Sequence, residues 1–136
     1  MVDPERLHRI LRRITDDLGM LRQYAEVDPD ELIADPVRLG HTKYLFVTML
    51  EGCIDAAQHV CASEGYGPLD TNADAMRRLV SRGILDPKHG ATMARAVGFR
   101  NVLIHDYIDV DDQRVVGYLS HLADIDAFVS ALSRLI

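Results

Sequence analysis

The aspartate–proline pairs Asp3-Pro4, Asp35-Pro36 and Asp86-Pro87 constrain this chain more than any other feature. Each is a strong helix start. The aspartate carboxylate accepts free amides of the first turn, and proline fits the first helical position because its missing N–H is not needed there. After Asp3-Pro4, the residues Leu7, Leu11, Ile14, Leu18, Leu21 and Ala25 recur at spacings of four and three, the stripe of a helix buried along one side. VDPDELIADP, residues 27–36, interrupts the pattern with two prolines. A second helix is predicted over 36–63, where YLFVTML and CIDAAQHV make it apolar on most sides and place it at the centre of a bundle. EGYGPLD (64–70) reads as a turn, and Thr71 with Asp74 has the pattern of a capping box opening a short helix that stops at Gly83. The helix from Asp86-Pro87 is predicted to reach about residue 107, and Val115, Leu119, Leu122, Ile125, Val129, Leu132 and Ile136 mark a final one. No segment alternates like a strand. The expected fold is all-α, an antiparallel four-helix bundle with one additional short helix, forming a single domain over residues 1–136.

A chain of 136 residues suits one hydrophobic core. No apolar run approaches the roughly 20 residues of a membrane span, and the charged, proline-bearing start MVDPERLHRI is unlike a signal peptide. Cys53 and Cys61 are eight residues apart in one predicted helix, about 12 Å, too far to bridge each other. Reduced, buried thiols and a cytoplasmic location without a membrane partner are therefore expected. The formal net charge of −6 argues against a broad basic surface for nucleic acid. The charge is uneven, however: ERLHRILRR (5–13) holds four arginines and a histidine, whereas DYIDVDD (106–112) holds four aspartates. Any polyanion site is thus local, and a solvated helix face is the competing reading of the arginine run.

The stretch FRNVLIHDY (99–107) carries the chemistry. Residues seven apart on a helix share a face to within about 20°, so Arg100 and Tyr107 align, and His105 lies one turn above Asn101. Arg100, Asn101, His105 and Tyr107 can border one groove while Val102, Leu103 and Ile104 supply part of the buried side. The residue types suit RNA: a guanidinium forks onto phosphate oxygens, and an imidazole moves protons near neutral pH. With the ribose 2′-hydroxyl as nucleophile no metal is required. The competing reading pairs Arg100 with Asp106 or Asp109 and treats His105 as a satisfied structural residue.

Glu51, Asp55 and His59 follow at i, i+4 and i+8 on the central helix. A di-iron bundle needs Glu-x-x-His on two helices, so this spacing is wrong for a metal. Two acids one turn apart repel unless partnered, which predicts an arginine nearby, from a neighbouring helix or from Arg100 itself. His8, His41, His89 and His121 have no such constellation and are expected at the surface, and Tyr24, Tyr44, Tyr66 and Tyr118 at packing or edge positions.

GFRNVLIHDYIDVD resembles the signature R-x-x-x-x-H-x-Y, within G-F-R-N-x-L-x-H-x-Y, of the HEPN-domain toxins called HepT. The likeness extends to the central helix with Glu51 and Asp55 and to the turn Gly83-Ile84-Leu85. It implies a cytoplasmic, metal-independent ribonuclease toxin acting as a homodimer, with the two motifs facing one cleft. Arg100 and His105 would be catalytic there, Asn101 supporting, with Glu51, Asp55 and Asp106 in lesser supporting roles. It further implies a partner antitoxin of the nucleotidyltransferase (MNT) type that transfers AMP from ATP to Tyr107, placing a phosphate beside Arg100. ATP and Mg belong to that partner; this chain needs no cofactor. Asp106, between histidine and tyrosine, is a departure from the pattern, where an acid favours charged imidazole and opposes RNA. A non-catalytic helical subunit that binds nucleotide or presents substrate to a nucleotidyltransferase is the alternative, and a plain dimerising scaffold a third.

Overall fold

Four of the five prolines begin helices in the computed structural model, which describes residues 1–136. The helices are α1 (Pro4–Ala25), α2 (Pro29–Ile33), α3 (Pro36–Ser63), α4 (Asn72–Ser81), α5 (Pro87–His105), α6 (Asp112–Gly117) and α7 (Ala123–Ser133), with a 3₁₀ turn over Tyr118–His121 between the last two. Asp3, Asp35 and Asp86 each accept first-turn amides as expected, and Thr71 and Asp74 form the reciprocal capping box. Such caps contribute about 1 kcal/mol each.

Two features depart from the sequence reading. The interruption at 27–36 contains the five-residue helix α2, which opens on Pro29; Asp28 precedes it, but its carboxylate accepts no first-turn amide. The final helix is three pieces. Tyr118 turns to stack on Phe99, with ring centroids 4.1 Å apart, while Leu119 and Leu122 enter the core, and the tighter 3₁₀ turn accommodates both demands. The expected α1 stripe is buried from Leu7 to Leu21, but Ala25, at the helix end, is exposed, as is Ile136.

The helices α1, α3, α5 and α7 close a ring in which each packs on the next, with α4 laid outside on α3 and α5. Neighbours run antiparallel. Asp3 meets His59 and Asp17 meets Thr48 between α1 and α3. Phe46 meets Phe99 between α3 and α5, and Lys43 meets Tyr107 just past the end of α5. Phe128, Met49, Met76, Met93, Ile14 and seven leucines fill the interior. Both cysteines are buried and unbridged, and burial pushes both thiols up. No single helix is long and apolar enough to cross a membrane.

Two helix-start carboxyls are expected to add a small acid-sensitive contribution to stability. Arg38 bonds Asp35 at 2.7 Å and, with the first-turn amides, holds its carboxyl below the usual range. Backbone amides of Thr71 and Asp70, the Thr71 hydroxyl and Arg77 do the same for Asp74. A carboxyl lowered in the folded state stabilises the fold above its unfolded value of about 3.9, and that contribution disappears as pH falls through the lower folded value. The expected result is that Asp35→Asn with Asp74→Asn lowers Tm at pH 7 and that the gap to wild type narrows below about pH 4. A gap unchanged from pH 7 to pH 2 in thermal melts counts against it.

Candidate functional site at the end of α5

α5 carries the polar motif in its last two turns. Arg100 turns inward onto α3: its Nη2 donates to Glu51 Oε1 at 3.1 Å and its Nη1 to Asn101 Oδ1 at 3.0 Å. The arginine side chain is 21% exposed, and its Nε is buried without an acceptor. The acids of α3 are thus partnered as their spacing requires, but by two different arginines. Glu51 holds Arg100, while Asp55 holds Arg13 of α1 at 3.1 Å. Neither Asp106 nor Asp109 pairs with Arg100.

Asn101 and His105 are exposed on one stripe, one turn apart, where side chains are surface neighbours. Arg100, Asn101 and His105 therefore form a continuous polar edge, anchored at one end by Glu51 and open to solvent at the other. His105 is the last residue of α5, and Asp106 is its exposed C-cap with no ion pair to it. Of the three apolar motif residues only Leu103 is buried; Val102 and Ile104 are 37% and 40% exposed.

The helix stops two residues earlier than expected, which moves Tyr107 off the face of Arg100. The hydroxyl of Tyr107 lies over the bare backbone of Gly40, where a Cβ would stand 3.5 Å away. Its ring is covered by the Lys43 ammonium at 5.0 Å from the centroid, and Lys43 also pairs with Asp112 at 2.7 Å. Glu51 and Lys43 are eight positions apart on α3, about 12 Å. Arg100 and Tyr107 thus meet α3 at separate points, and the four motif side chains do not converge on one phosphate within a single chain. The cation against Tyr107 is Lys43, which the sequence reading missed. Its signal was a charge inside the apolar run KYLFVTML, on a helix whose other buried residues are apolar apart from Thr42.

Two of the four remaining histidines are half-buried rather than superficial: His41 bonds the Tyr24 hydroxyl at 2.7 Å, and His89 Nε2 lies 2.9 Å from the Asp124 carbonyl oxygen.

Comparison with known proteins places the chain in a family. The chain is similar to the mRNA nuclease HepT of Shewanella oneidensis, 26% identical over 127 residues that cover 93% of this chain and 90% of that protein. It is also similar to the tRNA nuclease HepT of Aphanizomenon flos-aquae, 25% identical over 114 residues covering 84% and 78%. In fold it matches the tri-AMPylated Shewanella oneidensis HEPN toxin solved in complex with MNT antitoxin, with a TM-score of 0.88 at 21% identity over 98% of this chain and 99% of that one. The family model described as ribonuclease HepT-like matches residues 14–132, from the middle of α1 through the polar edge of α5 to the last turn of α7, and the chain therefore belongs to the HepT-like ribonuclease family.

Proposed function

We propose that this protein is a cytoplasmic endoribonuclease toxin that cuts RNA through Arg100 and His105, assisted by Asn101, and is silenced when a nucleotidyltransferase antitoxin attaches AMP to Tyr107. The observation that carries the reading is the polar edge itself. Glu51 orients a permanently charged guanidinium, Asn101 bridges it toward the next turn, and an unpartnered imidazole stands there in solvent.

The chemistry balances without a metal. His105 takes the proton of a ribose 2′-hydroxyl, and the 2′-oxygen attacks the adjacent phosphorus. The P–O5′ bond breaks, and the 5′-oxygen leaves with a proton from an imidazolium. The products are a 2′,3′-cyclic phosphate and a 5′-hydroxyl end. Arg100 stabilises charge growing on the phosphoryl oxygens. One chain supplies one imidazole, so base and acid at the same instant call for a second copy. The half-exposed Ile104, one turn above Arg100, and the 93% exposed Ile108 border the motif and give such a homodimer an apolar rim. Glu51 positions Arg100, Asp55 steadies α1 against α3, and Asp106 ends the helix.

AMP attached to the Tyr107 hydroxyl forms an O–P bond as pyrophosphate leaves ATP, and the ATP and Mg belong to the antitoxin. The new phosphate is then nearer Lys43 than Arg100, a placement supported by the Lys43 ammonium over the Tyr107 ring and the Tyr107 hydroxyl over Gly40. Inhibition then comes from a bulky anion at the mouth of the site.

The test is RNA cleavage in a chelator before and after treatment with such an antitoxin and ATP. Wild type is expected to cut, to gain the mass of AMP and to stop cutting; Tyr107→Phe is expected to cut and to resist inactivation. A chain that binds RNA and never cuts it establishes the alternative, a non-catalytic partner subunit. Full inactivation of Tyr107→Phe removes the tyrosine from the regulation.

A further inference from the structure

The arginine run of α1 does not face empty solvent along its whole length. Arg6, Arg9 and Arg13 lie at i, i+3 and i+7, on the stripe that α1 turns toward α3. Opposite them, Glu51, Asp55, Gln58 and His59 form one stripe of α3. Because the two helices are antiparallel, these stripes run together, and Arg6, Arg9, Asp55, Gln58 and His59 line an open groove of about 550 Å³.

The groove joins the motif. Arg13 bonds Asp55, and its guanidinium crosses α3 over Gly52: a Cβ there would lie 3.3 Å from Arg13 Nη2. Gly52 adjoins Glu51, the anchor of Arg100. Guanidiniums from α1 and α5 thus reach the same turn of α3 from opposite sides. Beyond them stand Arg9 and Arg6, exposed and without any ion pair. From Glu51 to His59 the line covers about 12 Å, a length on the scale of a few phosphates of an extended strand.

We propose that this line is a phosphate track that holds the RNA strand flanking the scissile bond. The inference rests on the reading of the motif as a nuclease and extends it to how substrate is gripped. Planar forks suit phosphate oxygens bidentately. Two of the four arginines are neutralised by Glu51 and Asp55, which fix their position, and two remain as net charge for the strand. In a chain of net charge −6 the track is a local attraction on a repelling body, so RNA enters along it.

The test uses full-length protein. Anisotropy with a labelled single-stranded oligoribonucleotide is measured on His105→Ala, and on His105→Ala carrying Arg6→Gln and Arg9→Gln, across a salt series. Removing two phosphate contacts is expected to weaken binding roughly 10-fold at moderate salt and to flatten the log–log salt slope by about 1.4. With His105 intact, the double arginine variant is expected to raise KM on a long RNA and leave kcat unchanged. On a dinucleotide, too short to occupy the groove, its turnover is expected to match wild type. Lys88→Gln, with equal charge removed per site from the start of α5, is expected to change none of these. Unchanged affinity and salt slope in the double variant overturn the track, including the case in which it loses antitoxin binding instead. Equal loss on the dinucleotide overturns it too, since that reports damage to the site. If wild type cuts no RNA the nuclease reading fails, and the anisotropy series still decides the track.

Discussion

Alanine at position 105 is expected to lower RNA cleavage by about 10²–10⁴-fold, the usual worth of a positioned general acid–base, while leaving the melting temperature unchanged. The two halves of that expectation come from the same observation. His105 is exposed, ends α5, and makes no hydrogen bond or ion pair, so the fold loses no contact with it. A surface change of this kind stays within about 0.5 kcal/mol. Arg100→Ala is a less clean probe. It strips Glu51 and Asn101 of a partner, and breaking a half-buried pair changes the local structure as well as the chemistry. Arg100→Lys keeps the charge but loses the fork that reaches Glu51 and Asn101 together, so it is expected to resemble the alanine variant in rate. Cleavage in a chelator at the wild-type rate by His105→Ala removes the imidazole from the chemistry. A parallel fall in Tm and rate shows instead that position 105 supports the fold.

The parts of this architecture that were legible in the sequence are those governed by local rules. α1 follows from the spacing of Leu7 to Leu21, and α3, α4 and α5 from caps whose donors and acceptors lie within four residues. The break after Gly117 was not legible. Val115, Leu119, Leu122 and Ile125 keep helical spacing through it, and its cause is a distant ring, Phe99. The site divides in the same way. Two acids on one stripe of α3 announced a cation, because like charges one turn apart need one. That Arg100 takes Glu51 and Arg13 takes Asp55 depends on which helix lies on which side, information the spacing does not hold. The early end of α5 separated Tyr107 from Arg100, since a helix end shifted by two residues changes the direction of every side chain beyond it.

The position of the motif also depends on a contact at the other end of α5. Gly90 is buried in its first turn, and a Cβ there would stand 2.0 Å from Val80 Cγ2 and 3.9 Å from the Met76 carbonyl oxygen of α4. Elsewhere in a helix, alanine for glycine gains up to about 1 kcal/mol. Here the new methyl meets a β-branched side chain held in one strongly preferred rotamer, so the helices must separate or valine must leave its well. Overpacking of this kind costs about 1–3 kcal/mol beyond the propensity gain, and Gly90→Ala is expected to be destabilising. Val80→Ala alone costs about 1 kcal/mol through lost burial. The double variant is expected to be more stable than Gly90→Ala, with a coupling of about 1–3 kcal/mol of opposite sign to the single effects, readable as a rise of several degrees in Tm. Function should follow the same cycle. Arg100 is ten residues from Gly90, about 15 Å, so a tilt of roughly 10° moves it between 2 and 3 Å off Glu51. Displacements near 1 Å can cost about 10²-fold in rate. Gly90→Ala is therefore expected to lose RNA cleavage as well as stability, and Val80→Ala to restore both. Strictly additive melting temperatures would show that α4 and α5 do not meet at this point, and stability restored without cleavage would uncouple that crossing from the placement of Arg100.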